Sequence, residues 1–138
     1  MLLVDAANVV GSRPDGWWRD RAAATERLLG RLAALPGTSV RGPDGAPLRL
    51  TGVVAVVEGR ARDVVAPAGL GVVRAPGSGD DALVAAAADL ADGGATLLVV
   101  TADRGLRDRL LPGTAVTGPR WLLELLDRLD AAPHDPPG

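Results

Sequence analysis

The sequence predicts a three-layer α/β/α domain with a mainly parallel central sheet of about five strands. Three observations carry that expectation. Several short runs are almost wholly apolar, at residues 2–4, 50–57, 70–73 and 95–101, as expected of strands buried on both faces. Segments with apolar residues at helical spacing alternate with them, the pattern of parallel α/β folds. Each run then ends at, or turns towards, an acid: Asp5, Glu58, Asp80-Asp81 and Asp103. In an open α/β sheet such strand ends line one crevice, where ligands bind.

Taken in order, residues 2–4 form the first strand, which delivers Asp5 to its carboxyl end, with Asn8 three positions on. Residues 9–15 hold Gly11 and Pro14 and are expected to be a loop. Residues 17–35 are expected to be a helix, with Trp18, Ala22, Leu28, Leu29, Leu32 and Leu35 recurring at three and four and Pro36-Gly37 as its stop. Pro43-Asp44-Gly45 marks a turn between short extended arms. Residues 50–57 are β-branched and apolar and are expected to be one central strand. Residues 59–68 make a basic irregular segment, and 70–73 a short strand. Gly77-Ser78-Gly79 turns the chain into an alanine-rich helix over about 80–91, which Gly93-Gly94 ends. Residues 95–101 are a strand, 103–111 a short helix, 114–116 a last short strand and 119–130 a final helix with Trp121 on its apolar side. Residues 1–130 form one domain, and 131–138 are expected to be a disordered Pro-rich tail.

Composition narrows the chemistry. A chain of 138 residues, 47% hydrophobic, suits one domain with a real core. Its formal net charge of -2 leaves no bulk attraction for a polyanion, so affinity for one must come from a local patch or a bound cation. All 15 basic side chains are arginine, so no mechanism can use lysine. There is no cysteine, which excludes disulfides, thiol nucleophiles and Cys metal sites, and the single histidine, His134, lies in the tail, which argues against histidine acid/base chemistry and His-rich metal sites. No apolar run is long enough for a bilayer, no secretion signal opens the chain, and a cytoplasmic location is expected.

Each acid has a plain structural reading. Asp5 can close an Asx turn, Ser78 and Asp81 have capping-box spacing, Asp103 can cap the following helix, and Glu58 can pair with Arg60 or Arg62. Asp108 is best explained by pairing with Arg104. Jointly, Asp5, Glu58, Asp80, Asp81 and Asp103 are more specific, because carboxylates gathered without positive partners repel one another. A cation relieves that repulsion, and oxygen-only ligands select Mg2+ or Mn2+. Such an ion grips a phosphate and acidifies a water, the natural nucleophile in a chain with no usable His or Lys.

These residues also carry a resemblance. Val4-Asp5-Ala6-Ala7-Asn8 looks like the D-x-x-N opening of NYN domains, within the PIN-like nuclease superfamily. Gly77-Ser78-Gly79-Asp80-Asp81-Ala82-Leu83 is similar to the middle motif, in which acids open a helix, and Val100-Thr101-Ala102-Asp103-Arg104-Gly105-Leu106-Arg107 resembles the third, T/S-x-D before a helix. Val57-Glu58-Gly59 stands where some PIN-like and flap-nuclease relatives have F-D-G, with Glu in place of the usual Asp. Order and spacing agree over roughly residues 1–125. The resemblance implies a PIN-like fold and a Mg2+- or Mn2+-dependent endoribonuclease. Asp5, Asp80 or Asp81, and Asp103 would be ligands, Asn8 would position substrate or water, and Glu58 would be the least secure member.

An RNA substrate needs cationic flanks. Arg13, Arg60, Arg62, Arg74, Arg104 and Arg107 are the candidates, and Trp17 or Trp18 could stack on a base of single-stranded RNA. Ala7 stands where a haloacid-type phosphatase needs a second acid, the missing lysine excludes a phospho-receiver, and Ala6-Ala7 excludes a Rossmann dinucleotide turn. A non-catalytic RNA- or nucleotide-binding module and the toxin of a toxin–antitoxin pair stay open as alternatives. A homodimer is compatible with the resemblance, although no exposed apolar stripe points to one.

Overall fold

The structure, a computed structural model, describes residues 1–13 and 20–131. Five short strands form its central sheet: β1 (Leu2–Asp5), β4 (Val53–Val57), β5 (Gly71–Arg74), β6 (Leu98–Val100) and β7 (Ala115–Thr117). Their order is β5-β4-β1-β6-β7, and every pairing is parallel. The chain builds outwards from β1 through β4 to β5, then returns to the other side of β1 for β6 and β7. The reversal puts a topological switch point between β1 and β6, where the strands' carboxyl ends leave a crevice.

β1 occupies the centre because it is apolar on both faces. Leu2, Leu3 and Val4 have no exposed surface. Alternate residues of a strand face opposite sides, so β1 feeds two cores. Leu2 and Val4 pack with Leu28, Leu29 and Leu32 of α2 (Arg21–Leu32), and with Leu122, Leu125 and Leu126 of α5 (Pro119–Ala131). Leu3 packs with Val56 and Val99, with Leu83 and Ala87 of α3 (Gly79–Asp92), and with Leu106 of α4 (Arg104–Arg109). Each fully buried leucine contributes about 1.5–3 kcal/mol of transfer free energy. The helices therefore form two layers around the sheet, as expected.

Two elements differ from expectation. The predicted loop at 9–15 instead begins as a one-and-a-half-turn helix, α1 (Ala6–Gly11). The Asp5 side chain caps it, and Val9 is buried beneath it, so tertiary packing outweighs the poor helix propensity of Val9 and Val10. Residues 14–19, with Trp17 and Trp18, lie outside the described residues; from Arg21 onwards the predicted first helix is present, its N-cap Asp20 accepting from Ala23 N–H at 2.9 Å.

The single strand expected at 50–57 is divided. Leu50 ends β3 (Pro47–Leu50), which pairs antiparallel with β2 (Thr38–Arg41) around the Asp44 turn, and β4 begins only at Val53. The break falls at Thr51-Gly52, where a Cβ on Gly52 would sit 3.0 Å from the Met1 side chain. Trp121 is half-buried and donates its indole N–H to the Arg41 carbonyl at 3.2 Å, linking α5 to this hairpin. The residue 132–138 stretch of the expected tail lies outside the described residues. No helix among the described residues is long and apolar enough to cross a membrane.

Candidate functional site

Asp5 ends β1 on the same face as Leu3, the face that carries α3 and α4. The β1–β6 register pairs Val4 with Val100, so the next step brings Thr101 level with Asp5. The Thr101 hydroxyl donates to Asp5 Oδ2 at 3.0 Å, in a spot where Asp5 is 8% exposed and Thr101 not at all. Thr101 Oγ1 in turn accepts from Asp103 N–H at 3.2 Å. Asp5 Oδ1 accepts from Asn8 N–H at 3.3 Å, and Asn8 Oδ1 accepts from Ala102 N–H at 2.8 Å. Two strand ends far apart in sequence are thus laced together across the switch point. The Asn8 side chain serves as the bridge rather than projecting freely.

Asp103 caps α4, its Oδ1 accepting from Leu106 N–H at 3.1 Å. Asp80 is the second residue of α3 and half-buried, and among the described residues it makes no hydrogen bond or ion pair. Its neighbour Asp81 is bound by Arg109 at 2.7 Å and stays 70% exposed. Of the two acids that the sequence left as alternatives, Asp80 is therefore the one without a partner.

The electrostatics agree with crowding. Burial pushes the Asp5 carboxyl above the ordinary 3.8, and the charges of Asp80 and Glu58 add to it, while Thr101 and Asn8 hold it back. Burial also raises Asp80, reinforced by Asp103, Glu58 and Asp81 and offset in part by Arg109. These fields reach farther than a coordination bond. As placed, no three Asp, Glu or His side chains among the described residues are gathered to hold one metal ion.

Glu58 follows β4 but pairs with neither Arg60 nor Arg62. Its Oε2 accepts from Gly79 N–H at 2.7 Å, at the start of α3. The arginines divide as well. Arg13 is tied to Asp127 at 2.7 Å on the α5 side, Arg107 donates to the Thr101 carbonyl at 3.0 Å, and Arg62 lies 4.0 Å from Asp63, with Arg74 donating to the Arg62 carbonyl. Arg60 and Arg104 are exposed beside the strand ends, with no hydrogen bond or ion pair among the described residues. Asp108 forms no ion pair with Arg104 among the described residues. Trp17 lies outside the described residues.

Thr101, Gly79 and Arg109 gained no role of their own from the sequence. Only the β1–β6 register reveals that Thr101 faces Asp5, and only the approach of β4 to α3 reveals why residue 79 is glycine.

Five parallel strands between two helical layers, with acids at the strands' carboxyl ends, make this a three-layer α/β/α domain. Among solved structures, the chain is similar to a mutant form of Rae1 (YacP) from Bacillus subtilis, with a TM-score of 0.64 at 18% sequence identity. The match covers 94% of this chain and 76% of that one. No protein-family model and no curated protein matches the sequence.

Proposed function

We propose that the chain is a metal-dependent endoribonuclease whose ion is held by Asp5, Asp80 and Asp103. The observation that carries this reading is the buried Asp5 carboxylate within electrostatic reach of Asp80, which has no hydrogen bond or ion pair among the described residues, both raised by burial and by surrounding negative charge. The donor set fits a hard divalent ion, Mg2+ or Mn2+, since every candidate ligand is a carboxylate. When bound, the ion would polarise a phosphate oxygen and lower the pKa of an attacking water. Thr101 and Asn8 fix the Asp5 carboxylate, so its orientation is set before any ion arrives. Arg60 and Arg104 flank the strand ends and would take the phosphates on either side of the cleaved bond. The RNA class rests on the motif resemblance, which the fold likeness supports.

Cleavage of single-stranded RNA in Mn2+, compared for wild type, Asp5→Asn and Asp80→Asn, tests the reading. Loss in both variants is expected; equal cleavage in all three removes the assignment. A second reading, a non-catalytic RNA-binding module, is favoured by the absence of three gathered acids among the described residues. It expects RNA binding that survives EDTA and no turnover in any metal.

A further inference from the structure

Glu58 occupies an unusual position. Its carboxylate fills the volume in which any side chain at residue 79 would begin. A Cβ built on Gly79 would lie 2.5 Å from Glu58 Cδ and 2.6 and 2.8 Å from its two oxygens. Gly79 itself is buried, and its N–H donates to Glu58 Oε2 at 2.7 Å. A Cβ at residue 79 would therefore displace the carboxylate from this contact, and the glycine keeps the slot open for a side chain arriving from the end of β4.

The consequence falls on the next residue. Gly79 is the first residue of α3 and Asp80 the second, so the Glu58 contact pins the backbone one peptide from the unpartnered acid. Two further ties hold the same turn: Ser78 Oγ accepts from Asp81 N–H at 3.4 Å, and Asp81 meets Arg109 at 2.7 Å. Of the three, only Glu58 comes from beyond α3 and α4, directly after β4, the strand next to β1. It therefore ties the first residue of α3 to the carboxyl end of β4.

We infer that Glu58 is a positioning residue, anchoring the start of α3 so that Asp80 faces Asp5 and Asp103, and is not itself a metal ligand. The glutamate side chain spans from the end of β4 to the first residue of the helix. The inference rests on the reading of Asp5, Asp80 and Asp103 as the metal-holding acids.

Three variants separate the two roles: Glu58→Gln, which keeps an acceptor oxygen without the charge; Glu58→Ala, which removes both; and Gly79→Ala, which drives the carboxylate from its slot. Mn2+ affinity by calorimetry and exchange of the Gly79 amide by NMR are measured on each. For a positioning residue, Glu58→Gln stays near wild type in both, whereas Glu58→Ala loses amide protection and about tenfold or more in Mn2+ affinity. Gly79→Ala, if folded, falls with Glu58→Ala. Glu58→Gln losing as much Mn2+ affinity as Glu58→Ala identifies a ligand and overturns the inference. So does Glu58→Ala with unchanged amide exchange, or with unchanged affinity and only a lower melting temperature. Wild type that binds no Mn2+ defeats the metal reading and with it any role of Glu58 towards an ion; the amide exchange alone then decides whether Glu58 anchors α3.

Discussion

Asp80 costs the fold stability whenever it is ionised. Its carboxyl is raised above 3.8, chiefly by burial and then by Asp103 and Glu58. A raised acid binds its proton more tightly in the folded chain than in the unfolded one. Its contribution is therefore complete below the unfolded value and is lost as pH rises through the folded value. Asp80→Asn should melt above wild type at neutral pH without divalent ions, and the gain should vanish as pH falls towards 3.8; a lower melting temperature at neutral pH would show that Asp80 has a stabilising partner. Thr101 presents the opposite case. Its hydroxyl serves Asp5 and Asp103 N–H together in a fully buried spot. Thr101→Val leaves both without it and should cost about 1–3 kcal/mol in urea unfolding; a neutral result would mean that the pair is satisfied in another way.

Helix ends decide more here than helix interiors. Asp5, Asp20, Ser78 and Asp103 each cap a helix through a side-chain oxygen. Two of these caps, Asp5 and Asp103, are also candidate site acids at the carboxyl-end edge of the sheet. Asp20 is not one of the candidate site acids and isolates the capping contribution: Asp20→Ala should cost about 1 kcal/mol, read from the denaturation midpoint. Helical spacing made α2, α3 and α5 legible in the sequence, because a single packed face imposes it. The split at Thr51-Gly52 was not legible. An uninterrupted apolar run looks the same whether it serves one strand or two, and what divides it is a change of partner, from β2 at Leu50 to β1 at Val53.

Across the whole molecule, charge is sorted by place. Asp5, Glu58, Asp80 and Asp103 lie along the carboxyl-end edge of the sheet without three of them meeting, while Arg13 and Arg31 join Asp127 and Asp130 on the α5 side. That exposed network accounts for the lowered Asp127 carboxyl, held down mainly by hydrogen bonds from Arg31 and Arg13. Arg13 is thereby engaged on the α5 side, leaving Arg60 and Arg104 as the candidate cations beside the strand ends with neither a hydrogen bond nor an ion pair among the described residues. Arg60→Ala and Arg104→Ala should each weaken RNA binding across sequences and reduce its salt slope by about one; unaltered slopes would move the RNA path elsewhere. Mn2+ should raise the melting temperature of wild type at neutral pH and do so far less for Asp5→Asn, as follows when an ion binds only the folded state.

The sequence alone determined the fold class and the acidic edge. Both are written in local patterns: apolar runs of strand length, helical spacing between them, and an acid after each run. It could not choose between Asp80 and Asp81, give Thr101 a role, or explain Glu58 and Gly79. Those answers depend on which strand lies beside β1, on the β1–β6 register and on how closely β4 approaches α3. These are distances between residues far apart in the chain, and only packing sets them, because one step of register turns a side chain to the opposite face of the sheet.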